Sequence, residues 1–236
     1  MKYLYDLHCH TKEGSKCGAS SLSDMVKYYH EAGFAGFCVT DHFTGNSTIP
    51  EEASWEERVN SIFELCDSVK DLTDGLGVRV FAAMEYSLRS DKEKFLPVTG
   101  NDFVVLGLTR EWLLANRSAF DLEFSELCDV IREAGGYVIH AHPYLEGPWI
   151  KSVVLYPRAV DAVEIYNGHA SAEVNEAAGW YAEHYGLTAV AGSDNHKAGE
   201  RVIAGVETDV ECTTLAELVA CIKSGKATPF MRELDG

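Results

Sequence analysis

The amino-terminal stretch of the chain is a short apolar run that ends in two histidines. Residues 3–11 read Tyr3-Leu4-Tyr5-Asp6-Leu7-His8-Cys9-His10-Thr11. Successive side chains of a β-strand point to opposite faces, so His8 and His10 would share one face where this strand ends. Two imidazoles side by side suit one divalent cation. The same pattern also fits two histidines with purely local partners, so its interpretation depends on the rest of the chain.

Further apolar runs alternate with amphipathic stretches along the chain. The candidate strands are residues 3–8, 36–40, 79–84, 103–108, 137–141, 162–166 and 188–191, and residues 203–207 could add an edge strand. Alternation of this kind predicts repeated βα units and an α/β fold. A chain of 236 residues is long enough for one substantial core. We therefore expect residues 1–236 to form a single domain, with a short polar tail from about residue 226.

Helix signals occupy the stretches between these runs. Ser54 and Glu57 form a capping-box pattern, and Ser21 stands three residues before Asp24 in the same way. Asp121 opens a further apolar-periodic stretch. Two more helices are predicted over residues 171–185 and 215–222.

Composition and charge exclude several classes of protein. The net charge of −17 argues against binding to long nucleic acid, because phosphate backbones attract basic surfaces. No apolar stretch reaches the roughly 18 residues that a membrane span needs, and the amino terminus lacks a signal-peptide pattern. The seven cysteines include no CxxC pair, and several fall within apolar patterns. These features predict a cytoplasmic protein with buried free thiols and no membrane contact.

Residues that can bind metals recur where the predicted strands end. They are Asp41 and His42 after the second run, Glu85 after the third, His140 and His142 at the fifth, and Asp194 and His196 after the seventh. In a parallel α/β barrel the carboxyl ends of the strands meet at one rim, where active sites form. Asp41 alone is better explained as a turn or capping residue. The coincidence at five strand ends nevertheless predicts a shared metal site.

The motifs that carry these residues resemble those of the polymerase and histidinol phosphatase (PHP) superfamily, in the same order. They are Asp6-Leu7-His8-Cys9-His10-Thr11, Thr40-Asp41-His42, Glu85, Ala141-His142-Pro143 and Gly192-Ser193-Asp194-Asn195-His196. The resemblance covers nearly the whole chain. It implies a distorted (β/α)7 barrel that carries two or three divalent cations and hydrolyses phosphoesters.

The resemblance also implies a distribution of ligands. His8, His10, Glu85 and Asp194 would hold a first cation, and Glu85 would bridge it to a second one bound by His142. His42 and His196 would serve a third cation where one is bound. Mixed nitrogen and oxygen donors suit Zn, Mn or Fe better than Ca or Mg.

Three departures from the family pattern leave alternatives open. Many relatives carry an Asp or His shortly after the His-x-His pair, where Glu13 or Cys17 would have to substitute. Thr109 stands where a histidine usually ends the fourth strand, and His140 could compensate. An arginine often follows the His-Pro motif but is missing here. The candidate phosphate-binding cations are then Lys12, Lys16, Arg110, Arg158, Lys197 and Arg201.

The function expected from these observations is hydrolysis of a small soluble phosphate mono- or diester, such as a nucleotide or a phosphorylated metabolite. The nucleophile would be a hydroxide held between the cations that Glu85 bridges, and His42 or His196 would protonate the leaving oxygen. One alternative is a metal-dependent hydrolase of C–N bonds, since related barrels use similar ligands. A second alternative is a non-catalytic module that keeps metals for structure or regulation.

Overall fold

Ten strands alternate with seven α-helices in a computed structural model that describes residues 2–88, 101–147, 150 and 152–234. The strands are β1 Tyr3–Asp6, β2 Gly36–Val39, β3 Arg79–Ala82, β4 Met84–Ser87, β5 Asp102–Leu106, β6 Tyr137–His140, β7 Ala162–Asn167, β8 Thr188–Gly192, β9 Val202–Thr208 and β10 Ala227–Glu233. The helices are α1 Leu22–Glu31, α2 Trp55–Asp67, α3 Lys70–Leu76, α4 Arg110–Ala115, α5 Phe124–Glu133, α6 Ala172–Tyr185 and α7 Leu215–Lys223, with a 3₁₀ helix at Arg117–Asp121. The predicted α/β class is confirmed.

The strands form two mixed sheets of five. One sheet has the order β10-β9-β1-β2-β3 and the other the order β4-β5-β6-β7-β8. Strands β1, β2 and β3 run parallel to one another, as do β6, β7 and β8. Strands β5, β9 and β10 run antiparallel to their neighbours. The described residues therefore form two sheets, where the sequence predicts one seven-stranded barrel.

The chain passes from one sheet to the other within the run predicted as a single strand over residues 79–84. The run breaks at Ala83, so that β3 pairs with β2 while β4 pairs with β5. Two isolated bridges connect the sheets: His42, after β2, pairs with Glu85 of β4, and Cys9, after β1, pairs with Asn195, after β8. Both bridges contain residues of the predicted metal motifs, so the seam between the sheets is where these motifs meet.

Strand β5 reverses direction relative to the prediction. It lies antiparallel between β4 and β6, with Phe103 opposite His140 and Asp102 opposite Ser87. The amino end of β5, not its carboxyl end, therefore lies beside the predicted metal motifs. Thr109, compared above with a family histidine, instead caps α4 by accepting from the Trp112 backbone N–H.

The segment after Lys226, predicted as a polar tail, is strand β10. It pairs with β9 along its whole length, from Ala227 opposite Thr208 to Glu233 opposite Val202. Phe230 of this strand contacts the ring of Phe34, with centroids 6.1 Å apart. Strand β9 consequently lies between β1 and β10 and is not an edge strand.

Helix α1 shows how the core orients the first histidine motif. Ser21 caps this helix by accepting from the Asp24 N–H, and Ser54 and Glu57 form the predicted capping box of α2. Tyr29 stacks on Phe37 of β2 with ring centroids 4.2 Å apart. Cys9 lies in the same apolar cluster, so it faces away from the neighbouring histidines. All seven cysteines are free thiols.

Gly192 at the end of β8 permits a close approach to the first motif. A β-carbon at this position would overlap the Cβ of His8 and lie 2.5 Å from Glu164 Oε1. Any side chain here must displace His8, because the surrounding atoms are packed at interior density.

Replacing Gly192 with alanine should therefore lower the free energy of unfolding by about 1–3 kcal/mol through overpacking. Chemical denaturation measures this change. The matched control is Gly179→Ala in α6, where no heavy atom lies within 4 Å of the added carbon. That variant should gain up to about 1 kcal/mol, because alanine is the better helix former. A Gly192→Ala protein as stable as the wild type would contradict this description of the packing.

Candidate metal centre

Four side chains from three strand ends converge on one point. His8 Nε2 lies 3.2 Å from His10 Nε2 and 3.3 Å from Glu85 Oε1. Asp194 Oδ1 lies 3.4 Å from the His8 nitrogen and 3.2 Å from the His10 nitrogen. Ligands bound to one tetrahedral zinc ion at about 2.0–2.2 Å lie about 3.4 Å from one another. The four atoms are therefore spaced as the ligands of one cation are.

Hydrogen bonds through Nδ1 turn Nε2 of both imidazoles toward this point. His8 Nδ1 lies 3.0 Å from Glu164 Oε1, and a carboxylate only accepts, so Nδ1 carries the proton. The Ser15 hydroxyl donates to Asp41 Oδ1 at 2.7 Å, and its oxygen therefore accepts from His10 Nδ1 at 3.1 Å. The two Nε2 atoms lie 3.2 Å apart, so either a proton on His8 or a cation must lie between them.

A second group shares Glu85 with the first. Glu85 Oε1 also lies 3.3 Å from His142 Nε2. Ligand atoms of Glu85, Asp102 and His142 all lie within 4.8 Å of one another. His142 and Asp194 have positive φ angles of 28° and 54°, which are unusual for residues other than glycine. Strain of this kind is tolerated where the surrounding structure fixes a functional geometry.

A third group lies next to the first. His42 Nδ1 is 2.8 Å from Glu85 Oε2, and the rings of His42 and His196 pack against His10 at centroid distances of 4.7 and 4.6 Å. The ligand atoms of His10, Cys17 and His42 lie within 4.8 Å of one another. His196 Nδ1 donates to the backbone carbonyl of Asp194 at 2.6 Å.

Charged neighbours shift the pKa values of the buried histidines and of Glu85. Burial alone would lower the pKa of His8, but the Asp194, Glu164 and Glu85 carboxylates raise it well above its usual value. In the same way the pKa of His42 rises to about 11 and that of His142 to about 9, mainly through Glu85. Burial would raise the pKa of Glu85, but His42 and His8 hold it well below its usual range.

The pKa values of Cys17 and His10 are lowered, in contrast to those of His8, His42 and His142. Burial opposes ionisation of the Cys17 thiol, yet the adjacent His196 and His42 imidazoles lower its pKa to about 7. Burial lowers the pKa of His10 to about 4, so this ring is neutral at pH 7. A neutral imidazole and an easily ionised thiol are the forms that bind metals.

Several buried polar atoms of these groups have no hydrogen-bond partner, and a bound cation would satisfy them. They are His42 Nδ1, Glu85 Oε2, Asp102 Oδ1 and His142 Nδ1. The contact between His42 Nδ1 and Glu85 Oε2 is close but not aligned as a hydrogen bond. Buried charge is costly unless its atoms are hydrogen-bonded with good geometry or coordinate a metal. The donor set of imidazoles, carboxylates and one thiol fits a transition-metal cation.

Three of the predicted ligands lie outside these groups. Both nitrogens of His140 lack partners, and its ring stacks on Phe103 at 4.8 Å instead. Strand β6 ends at His140, so the strand alternation that would place it beside His142 does not continue. Asp41 accepts from Thr11 and Ser15 and so fixes the loop behind His10. The Glu13 carboxylate accepts from the Leu22 N–H at the start of α1.

The predicted phosphate-binding cations divide between two places. Lys12 and Lys16 follow His10, and Lys197 follows His196, so these exposed side chains lie in the loops that form the site. Arg201, close in sequence to His196, is 3.4 Å from Glu233 Oε1.

Arg110 and Arg158 lie away from the site. Arg110 binds Asn60 and Glu64 of α2, beyond the carboxyl end of the reversed strand β5. Arg158 precedes β7, and therefore lies at its amino end. These positions do not favour contact of the two arginines with a substrate, and their role stays a prediction.

Sequence reasoning missed three carboxylates. Glu164 accepts from the His142 backbone N–H at 3.0 Å as well as from His8. Asp6 Oδ1 accepts from the backbone N–H groups of His8 and Ser193, which ties β1 to β8. Asp102 belongs to the second group. A glutamate inside the apolar run 162–166 is the signal that could have found Glu164, since a charge there needs a partner.

The sequence and the fold resemble those of known proteins. The family model for the PHP domain matches residues 6–228. A two-domain Bacteroides vulgatus protein, which contains a predicted PHP-like metal-dependent phosphoesterase, matches 98% of this chain at a TM-score of 0.68 and 12% identity. This chain covers 65% of that protein, which is less than two thirds of its length. No curated protein matches the chain.

Two further solved structures share the fold. A putative metal-dependent phosphoesterase from Bifidobacterium adolescentis has a TM-score of 0.51 and 14% identity, over 83% of this chain and 88% of that one. An amidohydrolase from Chromobacterium violaceum has a TM-score of 0.57 and 15% identity, over 95% and 97%. Because the PHP family model spans most of the sequence, the chain belongs to the PHP family. Among the described residues no helix is both long and apolar enough to cross a membrane.

Metal binding should release protons from this site. His42 and His142, with pKa values of about 11 and 9, hold protons at neutral pH when no cation is bound. A cation must displace those protons, so its affinity should rise as the pH increases from about 6 to 9.

Calorimetric titration with Mn²⁺ in two buffers of different ionisation enthalpy measures the number of protons released. We expect at least one proton per chain. A binding heat that does not depend on the buffer would contradict the protonation states described here.

Proposed function

We propose that the chain is a metal-dependent phosphoesterase that hydrolyses a small phosphate mono- or diester, such as a nucleotide or a phosphorylated metabolite. The position of Glu85 carries this proposal. Its Oε1 lies 3.3 Å from the Nε2 atoms of both His8 and His142. A carboxylate shared between two groups of ligands suits a bridge between two cations. Cations about 3.5–4 Å apart are typical of enzymes that cleave phosphoesters.

The residues of the site divide into two sets that would hold these cations. The first set is His8, His10, Glu85 and Asp194, and the second is Glu85, Asp102 and His142. Zn, Mn or Fe suits such mixed donors. Bound cations would lower the pKa of water toward neutrality and offset charge on the phosphoryl oxygens.

His196 is the residue best placed to protonate the leaving oxygen. Its side chain is 26% exposed, whereas that of His42 is 13% exposed and points at Glu85. Burial would lower the pKa of His196, but the Cys17 thiol and the Asp194 carboxylate raise it above its usual value. Because its Nδ1 donates to a backbone carbonyl, Nε2 would carry the transferred proton.

The exposed lysines beside the site would meet the substrate first. Lys12, Lys16 and Lys197 lie in the loops that follow His10 and His196. Their charges would attract an anionic ester to a chain whose net charge is −17. They take the place of the arginine that often follows the His-Pro motif.

The closed (β/α)7 barrel implied by the family resemblance belongs to the same proposal. The bridges between Cys9 and Asn195 and between His42 and Glu85 support it, because they join the two sheets on both sides of the site.

Hydrolysis of a C–N bond is the second candidate, since the Chromobacterium violaceum neighbour is named an amidohydrolase. Activated water and a proton donor would serve an amide as well as an ester. Parallel assays of metal-loaded protein on p-nitrophenyl phosphate, bis(p-nitrophenyl) phosphate, amides and lactams separate the two. Turnover of amides alone would overturn the phosphoesterase proposal, and inactivity on all of them would favour a non-catalytic module.

Replacing Glu85 with glutamine should lower kcat on p-nitrophenyl phosphate at least about a thousandfold, because several kcal/mol of transition-state stabilisation depend on the bridge. Circular dichroism should show an unchanged fold. Glu176→Gln, an exposed glutamate on α6, is the matched control and should keep full activity. Near-normal hydrolysis by Glu85→Gln with full metal content would refute this role.

A further inference from the structure

A thiol lies at the opening of the metal centre. The Cys17 side chain is partly exposed, and its sulfur lies within 4.8 Å of ligand nitrogens of His10 and His42. Ligand atoms around one tetrahedral zinc lie about 3.4–3.8 Å apart, so small side-chain movements would close this group around a cation. His10 already faces the inner group. Cys17 and His42 are therefore the two ligands that belong to the outer position alone.

The loop that carries Cys17 is held firmly in this place. The Ser15 N–H donates to the Thr11 carbonyl at 2.9 Å, and the Gly18 N–H donates to the Ser15 carbonyl at 3.1 Å. The Ala19 N–H donates to the carbonyl of His196 at 2.7 Å, which fastens the loop to the far side of the site. A β-carbon at Gly18 would overlap the Thr11 carbonyl, so the turn needs glycine. The backbone thus presents the thiol to the histidines.

Two buried atoms next to this position form an ion pair with each other but no aligned hydrogen bond. Glu85 is 1% exposed, and its Oε2 makes no hydrogen bond. His42 Nδ1, 2.8 Å away, makes none either. A cation bound here would face the thiol, an imidazole and this carboxylate oxygen. The inner groups contain only nitrogen and oxygen donors, so the sulfur sets the outer position apart.

We propose that Cys17 is a thiolate ligand of an outer cation position that it shares with His42, and that this position prefers Zn²⁺ to Mn²⁺ or Mg²⁺. Soft thiolates select zinc, whereas carboxylates and water suit manganese and magnesium. On binding, the thiol releases its proton to solvent and the sulfur donates a lone pair to the cation. The inference rests on the metal dependence proposed above, but not on the identity of the ester.

Titration of the full-length, metal-free protein with Co²⁺ tests this assignment by absorption spectroscopy. The wild type should develop a sulfur-to-cobalt charge-transfer band in the near ultraviolet as well as the weaker ligand-field bands. Cys17→Ser should lose the charge-transfer band and keep the ligand-field bands of the inner groups. The matched control is Cys66→Ser, which changes the other partly exposed cysteine and should keep both.

The outcomes separate this inference from the proposed function. Cobalt bound by the wild type without a sulfur band overturns the inference alone, and so does a band that persists in Cys17→Ser. A chain that binds no cobalt overturns both the inference and the metal dependence.

Alkylation of the unmodified protein provides a second test that does not depend on a variant folding. Zn²⁺ at ten times its Kd should slow the reaction of Cys17 with iodoacetamide about tenfold, because only about one site in eleven is then empty. The same concentration of Mn²⁺ should leave the rate unchanged, and Cys66 serves as the internal control. Equal rates for Cys17 with and without Zn²⁺ would overturn the proposal.

Discussion

The fold must compensate the negative charge of three carboxylates that are buried around two histidines. Glu85, Glu164 and Asp194 are almost fully buried, and they surround the imidazoles of His8 and His10. Hydrogen bonds through Nδ1 turn both histidines so that their Nε2 atoms face each other across 3.2 Å. Such a group is unfavourable unless positive charge lies among its members. Protons can supply that charge, as the raised pKa values of His8, His42 and His142 show, and so can metal ions.

The fold places these groups through backbone contacts made where strands end. Asp6 joins the end of β1 to Ser193 beyond β8, and Glu164 holds the His8 ring and the His142 backbone together. Gly192 makes room for His8 beside them. Supporting hydrogen bonds of this kind orient metal ligands and raise their affinity. The geometry of the site therefore depends on these supporting residues as much as on the ligands themselves.

The local pattern of the sequence was sufficient to find His8, His10, His42, Glu85, His142 and Asp194, because each lies where an apolar run ends. It was insufficient wherever the chain departs from regular parallel strands. Nothing local in residues 103–108 reveals that β5 runs antiparallel, so the pattern does not single out Asp102, and Arg110 follows the end of β5 that lies away from the site. The positive φ of His142 breaks the alternation from which His140 was expected beside it. Strand direction and turn geometry depend on tertiary pairing, which one sequence does not display.

The central claim is that the buried histidines and carboxylates exist to hold cations. It can be tested by an anomalous difference map from crystals soaked in Mn²⁺ or Zn²⁺. We expect a peak about 2.0–2.3 Å from His8 Nε2, His10 Nε2 and the nearest oxygens of Glu85 and Asp194. A map without a peak there at a saturating metal concentration, with the four side chains in the positions described, would contradict it.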